Sequence, residues 1–568
     1  MTESNPDPAA IVMLLTTIGL ATAGVVWNAE RSLAHLKLAV ASLCFLIAAL
    51  MPLTGDVARS IALALIAISA IHGASSLKYA HSGLKLTVTD LPLLAAGTVP
   101  FFIVQYPFGV AAAVAGLAAL IALAVATILY VHSFALAPLW QAVLLCLATL
   151  GLALAYRSSG GAAALQRIAA QPRCFFSAFV ASLLDPRSWR QFTGFTLDDI
   201  ADDPLPLLPA RPARRSRYPD IVIIQHESIF DPRLYGLPVG PLVENFLTPP
   251  RGMHGRLNVD IFGGGSWQSE FSLLTGLSSA SFGSNGYFLF ERGAGCFHHS
   301  LPRTLDALGY ATTLISSCRR NFLNYDNFYR SIGMRDRIFT DDLPPPFDVD
   351  RFEVTHSDSE FLKAALDIHT AAIARDPAPR FLNLLTNYNH GPHHRRRVPP
   401  GQFETQRAFA LESFPDATYA EYYARLVETA STWAQLKAEL AARHPERPTL
   451  VVHYGDHQPV MTRRIEARQQ LPTDERRQFQ TFYAIEMLND DQSTLAAGRG
   501  PDLDIAFLGT VALQAAGLPL DPVFATRASL MEQCGSSYFA AHSERKRRFH
   551  RTLVELGLID LAPANRHS

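Results

Sequence analysis

The 568-residue chain reads as two structures in series: an N-terminal membrane domain of several α-helices, then an α/β domain with a largely parallel central sheet covered by helices on both faces. Three observations lead there. Charge is divided unevenly: residues 1–156 hold ten of the chain's 99 Asp, Glu, Lys and Arg, leaving 89 for the other 412. Long apolar runs are concentrated in the same first part. Beyond residue 217, short β-branched runs alternate with longer helical patterns, the mark of a sheet whose crossovers are helices. A single compact globule, a wholly soluble chain and a wholly embedded one are all excluded. A net charge of −1 gives no reason to expect nucleic acid as a partner.

In the first part, apolar runs fall at 10–27, 38–53, 61–77, 91–105, 107–130 and 135–156. About 20 residues of helix cross about 30 Å of hydrocarbon. Most of these runs approach that length. The fourth contains Pro100 and is followed by Tyr106-Pro107, so five spans remain the alternative to six. A cleavable leader is the other reading of the first run, but the segment before it is acidic and further runs come after it, which favours an anchor. Basic residues gather in two loops, at Arg31/Lys37 and Lys78/Lys85. Placing both in the cytoplasm puts the second half of a six-span chain outside.

Residues 157–217 read as a connector, with a Pro-rich stretch at 204–212 and a basic cluster at Arg211, Arg214, Arg215 and Arg217. That cluster suits either anionic headgroups or plain solvation. Residues 218–568 then form the second domain. Cys174, Cys296, Cys318 and Cys534 lie beyond the apolar runs, so an exported domain permits a disulfide, with Cys296–Cys318 the nearest pair.

Strands are expected at 221–225, 311–316, 381–386 and 449–453, and helices at 360–374 and 419–442. The chemistry lies in the residues just past the strand ends. The first strand runs into His226-Glu227-Ser228, the third into Asn387-Tyr-Asn-His390-Gly-Pro392, and the fourth into Tyr454-Gly-Asp456-His457. Open α/β sheets bind ligands beyond the carboxyl ends of their strands. Glu227, Asp456 and His457 offer two carboxylates and an imidazole, a set suited to zinc or manganese. Asp456 and His457 are adjacent, so they converge only on a turn, which Gly455 permits. By itself an Asp-His pair is most often a surface turn.

A second element is Phe262-Gly-Gly-Gly-Ser266-Trp-Gln-Ser269-Glu270-Phe271. The spacing of Phe271, Leu273, Leu274 and Leu277 predicts a helix beginning near Ser266. A hydroxyl at a helix amino terminus sits among backbone N–H groups that favour an oxyanion. Taken locally, an N-cap is the favoured reading of Ser266.

These motifs, in this order, resemble the alkaline-phosphatase/sulfatase superfamily, and within it the lipoteichoic acid synthase and phosphoglycerol transferase branch. The resemblance covers about 218–520 and extends to the multi-span membrane part. It implies a sulfatase-like α/β fold in which Glu227, Ser266, Asp456 and His457 hold one divalent metal, manganese first, with zinc or magnesium as alternatives. It implies that Ser266, where the branch usually has threonine, is the nucleophile. His390 matches the histidine near the substrate or leaving group. The family's aromatic and arginine substrate contacts fall at Leu323 and Tyr325, which differ from the pattern, so Arg319 and Arg320 just upstream, with His393, are the candidate phosphate contacts. The activity implied is transfer of a phosphoglycerol headgroup from phosphatidylglycerol to a glycan or other cell-envelope acceptor. Diacylglycerol is released, and a multi-pass protein of the bacterial inner membrane does this on its extracytoplasmic or periplasmic side.

Three rivals stand beside that expectation. A sulfatase requires Pro and Arg after the nucleophile, and here Ser266 precedes Trp267-Gln-Ser-Glu270. Phosphoethanolamine transfer uses similar metal chemistry on a similarly anchored domain. A non-catalytic envelope scaffold is the third. The runs His393-His394-Arg395-Arg396-Arg397, His298-His299 and Arg545–Arg548 read as solvated surface, the first with binding of phosphate or an anionic acceptor as its alternative and the second with a second metal site. No P-loop or dinucleotide fingerprint is present.

Overall fold

The computed structural model describes residues 24, 26–28, 30, 33–82, 85–90, 107–161, 168, 173–186, 188–189, 195–197, 199–347, 356–472, 474, 476–491, 493–535, 538 and 543–561. These fall into two compact units, Met1–Thr193 and Gly194–Ser568.

The first unit is helical: α1 (Leu33–Thr54), α2 (Val57–Ser82), α3 (Pro107–Tyr130), α4 (Pro138–Ser158) and the shorter α5 (Phe175–Leu184). Among the described residues, four stretches are long and apolar enough to cross a membrane: His35–Thr54, Val57–Tyr79, Phe108–Tyr130 and Pro138–Ser158. They are the second, third, fifth and sixth of the expected runs. The first run lies almost wholly, and the fourth wholly, outside the described residues. Leu117, Ile121, Leu129, Leu147 and Leu154 on α3 and α4 are each 56–60% exposed, a surface suited to lipid rather than water. Polar groups are met internally. Asp56 accepts the N–H of Arg59 and of Ser133, which fixes the start of α2. Lys78 pairs with Asp90 at 2.6 Å, and buried Lys85 donates to the carbonyls of Ile168 and Arg173. Lys37 donates to the Ser158 carbonyl at 3.1 Å, so three of the four charges that set the expected orientation are engaged inside this unit.

The second unit is built on a sheet that has nine strands among the described residues: β1 (Asp220–His226), β2 (Met253–Asn258), β3 (Ala311–Ser316), β4 (Asp336–Ile338), β5 (Arg380–Leu385), β6 (Thr449–Gly455), β7 (Gln480–Leu488), β8 (Gly498–Arg499) and β9 (Leu503–Asp504). Their order is β4-β3-β5-β1-β6-β7-β2-β8, with β9 also on β2. From β4 to β6 every pairing is parallel, and β7 runs antiparallel to both β6 and β2. The four expected strands are β3, β1, β5 and β6, the parallel centre of the sheet. β2 and β7 were not expected.

Two apolar layers sandwich the sheet. Along β1, Ile221 and Ile223 face one layer, and Val222 and Ile224 face the other, which is why the strand reads as a continuous apolar run. The first layer includes α6 (Ser266–Thr275), α9 (Ile505–Ala515) and α10 (Pro522–Cys534). The second includes α7 (Asp358–Arg375) and α8 (Ala417–Arg443). Local signals set these helices. Ser357 and Glu360 form a capping box at the start of α7, and Asp416 caps α8 by accepting the N–H of Thr418 and Tyr419.

The C-terminal part of the expected connector is built into this unit. Phe195, Leu197 and Leu205 join the first apolar layer, and Arg211 exchanges backbone hydrogen bonds with Leu520. Arg215 pairs with Asp490 at 2.5 Å, and Arg217 donates to the carbonyl of Glu446. The disulfide allowed by the sequence does not form: all six cysteines are free. Cys296 instead donates to the Arg292 carbonyl within its own turn, and Cys318 sits beyond the end of β3 with its N–H on Ser316 Oγ.

Candidate metal and nucleophile site

Strand register creates the site. β1 lies between β5 and β6, and His226 stands opposite Gly455. The next residues, Glu227 and Asp456, therefore leave the sheet side by side. At Gly455 the backbones approach so closely that a Cβ would stand 1.9 Å from the Ile229 carbonyl oxygen. Only glycine fits there, and the chain then turns to bring Asp456 and His457 to the same point.

Glu227, Asp456 and His457 are buried, and one ligand atom from each lies within 4.8 Å of the other two. His457 Nε2 is 3.4 Å from Glu227 Oε1 and 3.6 Å from Asp456 Oδ2. His457 Nδ1 meets the Gln458 carbonyl at 3.1 Å, so the proton belongs on Nδ1 and the Nε2 lone pair faces the carboxylates. Asp456 Oδ1 accepts N–H groups from Ser228 and His457, both at 2.7 Å. Asp456 Oδ2 is buried with no hydrogen-bond partner. An orphaned carboxylate oxygen, a second carboxylate and an imidazole lone pair aimed together fit a divalent cation.

Electrostatics agree with that fit. Burial, with Glu227 beside it, pushes Asp456 up to about 8. Burial opposes charge on His457, but Asp456 and Glu227 prevail and raise it to about 9. Burial would raise Glu227 as well, yet the His457 hydrogen bond and charge hold it well below the usual carboxylate range. With no cation bound, protons on Asp456 and on His457 Nε2 offset the charge of the cluster; a divalent cation would displace those protons and take their place.

Ser266 opens α6 beside this cluster. Gly265 precedes it at φ +95°, a left-handed conformation that turns the chain into the helix. Ser266 Oγ donates to Glu227 Oε2 at 2.8 Å and lies 3.4 Å from His457 Nε2. It makes no side-chain capping bond, since Gly265 occupies the cap position. Its hydroxyl is therefore directed at the cluster. Ser269, one turn on, donates to the Asp456 carbonyl at 2.7 Å and ties α6 to the end of β6. Below it, buried Glu270 accepts from Tyr325, Tyr329 and Gln225. Burial outweighs those hydrogen bonds and pushes Glu270 up to about 7.

His390 lies just past β5. Its Nδ1 meets the Gly391 carbonyl at 2.8 Å, which fixes the proton there and leaves Nε2 as the basic nitrogen. Burial lowers its pKa, and the charges of Glu227 and His457 both act on it. The other expected contacts are placed differently. His393 is buried and bonded to the Asn389 carbonyl at 2.7 Å, with burial and neighbouring Arg425 lowering it to about 3. Arg320 is committed to Asp326 and Asp342, each at 2.6 Å, and Arg319 lies 4.0 Å from Asp341. Tyr325 turns inward to Glu270. Leu323 holds a left-handed conformation at φ +43°. His299 pairs with Asp521 at 2.9 Å, away from this cluster in sequence and partners.

Ser228 and Ser269 are the site residues that sequence reasoning passed over. Ser228 stands at φ +55°, gives its N–H to Asp456 and its hydroxyl to Glu227 Oε1. Its place directly after Glu227 was the available signal.

Residues 219–482 match the protein-family model described as Sulfatase. The match covers a little under half of the chain. An uncharacterized protein of Haemophilus influenzae is 22% identical to the chain over 319 residues, covering 54% of this chain and 55% of that protein. The chain thus matches about half the length of that relative. Among solved structures, the Streptococcus pyogenes phosphoglycerol transferase GacH in complex with sn-glycerol-1-phosphate is 16% identical, with 60% of this chain and 84% of that one covered at a TM-score of 0.43. The lipoteichoic acid synthase LtaP of Listeria monocytogenes is 14% identical over 53% of this chain and 72% of its own, at 0.41. The lipooligosaccharide phosphoethanolamine transferase A (EptA) of Neisseria meningitidis is 11% identical, covering 97% of each chain, at 0.48. The segment matched by the family model spans Glu227, Ser266, His390, Asp456 and His457.

Proposed function

We propose that the chain is a metal-dependent phosphotransferase that moves the phosphoglycerol headgroup of phosphatidylglycerol onto a hydroxyl of a cell-envelope acceptor through a phosphorylated Ser266. The observation that carries this reading is the Ser266 hydroxyl at 2.8 Å from Glu227 Oε2, at the head of a helix and beside the Glu227–Asp456–His457 cluster. A divalent cation held by those three residues, with manganese first, supplies positive charge that favours the deprotonated serine and the phosphate oxygens.

In the first half-reaction, Ser266 Oγ gives up its proton toward Glu227 and attacks phosphorus. The bond from phosphorus to the diacylglycerol oxygen breaks, and that oxygen takes a proton from solvent as diacylglycerol leaves, a proton that His390 returns to solvent after the second half-reaction. In the second, the acceptor hydroxyl attacks phosphorus on Ser266 and loses its proton to His390 Nε2. Ser266 Oγ then leaves and recovers its proton from Glu227. Atoms and charge balance, and no water is consumed. The N–H groups at the start of α6 face the phosphate oxygens.

The choice of phosphoglycerol rests on the resemblance of the Ser266, His390 and Asp456-His457 motifs to the phosphoglycerol transferase branch. Four candidate spans support placement in the plasma membrane, and the domain acts on the extracytoplasmic side in this reading. The experiment is diacylglycerol release by the full-length chain in proteoliposomes with manganese, offering phosphatidylglycerol and phosphatidylethanolamine separately. Ser266-dependent release from phosphatidylglycerol supports the reading. Release only from phosphatidylethanolamine replaces the donor, and release unaffected by Ser266→Ala overturns the mechanism.

A further inference from the structure

The loop that presents His390 has no helix or strand between residues 386 and 403. Something else must hold it, and the buried polar face of α8 meets it. That helix packs Tyr422, Leu426, Ala430 and Trp433 into the second apolar layer. It also buries Glu421, Arg425 and Thr429, at i, i+4 and i+8, to 3%, 0% and 1% exposure. A buried ion pair contributes little net stability against an apolar replacement, so its presence on this face needs another account.

The hydrogen bonds supply one. Arg425 Nε donates to Glu421 Oε1 at 3.0 Å. The rest of the guanidinium goes to main-chain carbonyls of this loop: Nη1 to His390 at 3.2 Å, and Nη2 to Arg395 at 2.6 Å and Pro392 at 3.4 Å. Glu421 Oε1 accepts the N–H of Arg397 at 2.8 Å and of Val398 at 3.3 Å. Arg407 holds the other carboxylate oxygen at 2.5 Å. One turn along α8, Thr429 accepts from Asn389 Nδ2 and donates to Asp358. Residues 389–398 are thus gripped through both donors and acceptors of the backbone.

We propose that Arg425, with Glu421 as its partner, is a positioning residue for the transfer reaction: it fixes the 389–398 loop so that His390 Nε2 meets the hydroxyl reacting at Ser266. This rests on the functional reading above, which gives His390 its proton. Arginine is needed because its planar fork reaches several carbonyls at once. A lysine keeps the charge opposite Glu421 and reaches fewer of them.

The test uses the full-length chain in proteoliposomes with manganese, reading diacylglycerol release and amide hydrogen exchange of the 388–400 segment. Arg425→Lys is expected to lower kcat about 10–100-fold with KM little changed, a partial loss of the ~10²–10⁴ that a positioned acid or base supplies. Exchange of the Arg397 and Val398 amides should quicken in the same variant. Added guanidinium should restore part of the activity of Arg425→Ala. In a His390→Ala background, Arg425→Lys should cause no further loss, because both changes remove one function. Losses that multiply, or a kcat unchanged by Arg425→Lys, overturn the proposal. A wild-type chain that turns over neither lipid sinks the functional reading instead. The clamp is then judged by exchange, and amides 397 and 398 that stay equally protected in Arg425→Lys overturn it.

Discussion

Asp456→Asn separates two roles of one side chain. Oδ1 accepts N–H from Ser228 and His457, and an asparagine oxygen placed there accepts both. Oδ2, which has no partner, becomes an NH2 facing Glu227 and His457. The turn survives while the metal site loses an anionic donor. Loss of an outer-shell partner already weakens metal binding about 10–100-fold, so a direct donor is placed at ~100-fold or more. Metal at about 100 times its Kd stabilises a protein by about 2.7 kcal/mol. The same concentration facing a site about 100-fold weaker gives RT ln 2, about 0.4 kcal/mol. Without metal the order reverses. Asp456 is pushed up to about 8, so its contribution is full below the ordinary carboxyl value and is lost as pH rises toward 8. Asparagine carries no such penalty, and the metal-free variant should melt at or above the wild type at pH 7. The assay is thermal unfolding of the full-length chain in detergent, in chelator and across a manganese titration. A variant with the wild-type metal shift, or a wild type indifferent to manganese, zinc and magnesium, refutes the assignment.

Three further outcomes come from the same geometry. Glu270 has a folded value near 7, so stability is greatest below about 4.3 and declines up to about pH 7 by at most about 3–4 kcal/mol; Glu270→Gln should flatten that slope in denaturant titrations at several pH values. Gly455→Ala places a Cβ 1.9 Å from the Ile229 oxygen; overpacking of this kind destabilises by about 1–3 kcal/mol or more, and calorimetry should show this with weakened metal uptake. Ser266→Thr keeps the hydroxyl toward Glu227 and should retain diacylglycerol release, whereas Ser266→Ala should abolish it.

The parallel centre of the sheet was legible because β1, β5 and β6 are buried on both faces, and β3 on all but Ala311 and Thr313, so that they read as largely apolar runs. The residues just past β1, β5 and β6 announced the site for the same reason: register places those ends together. β7 was hidden since Gln480-Thr-Phe-Tyr-Ala-Ile-Glu-Met-Leu mixes polar and apolar residues without a clean period, and β2 contains Gly255 and Arg256. Arg320 and His393 looked like phosphate contacts because sequence shows charge without its partners; Asp326 and Asp342 engage one and the Asn389 carbonyl the other. Arg425 was illegible for the converse reason. A helix with Glu and Arg four apart reads as a solvated face, and only the 389–398 loop folded over it makes that face interior.

Ser266 as the covalent carrier is the central claim, and the direct measurement is the mass of the tryptic peptide that contains it. Full-length chain carrying His390→Ala, which slows release to the acceptor, is mixed with phosphatidylglycerol vesicles and manganese, then quenched in acid. The account predicts a phosphoglycerol group on Ser266, absent in chelator and absent when Ser266→Ala is added. A peptide that stays unmodified while diacylglycerol accumulates, or the same adduct on another side chain, contradicts it.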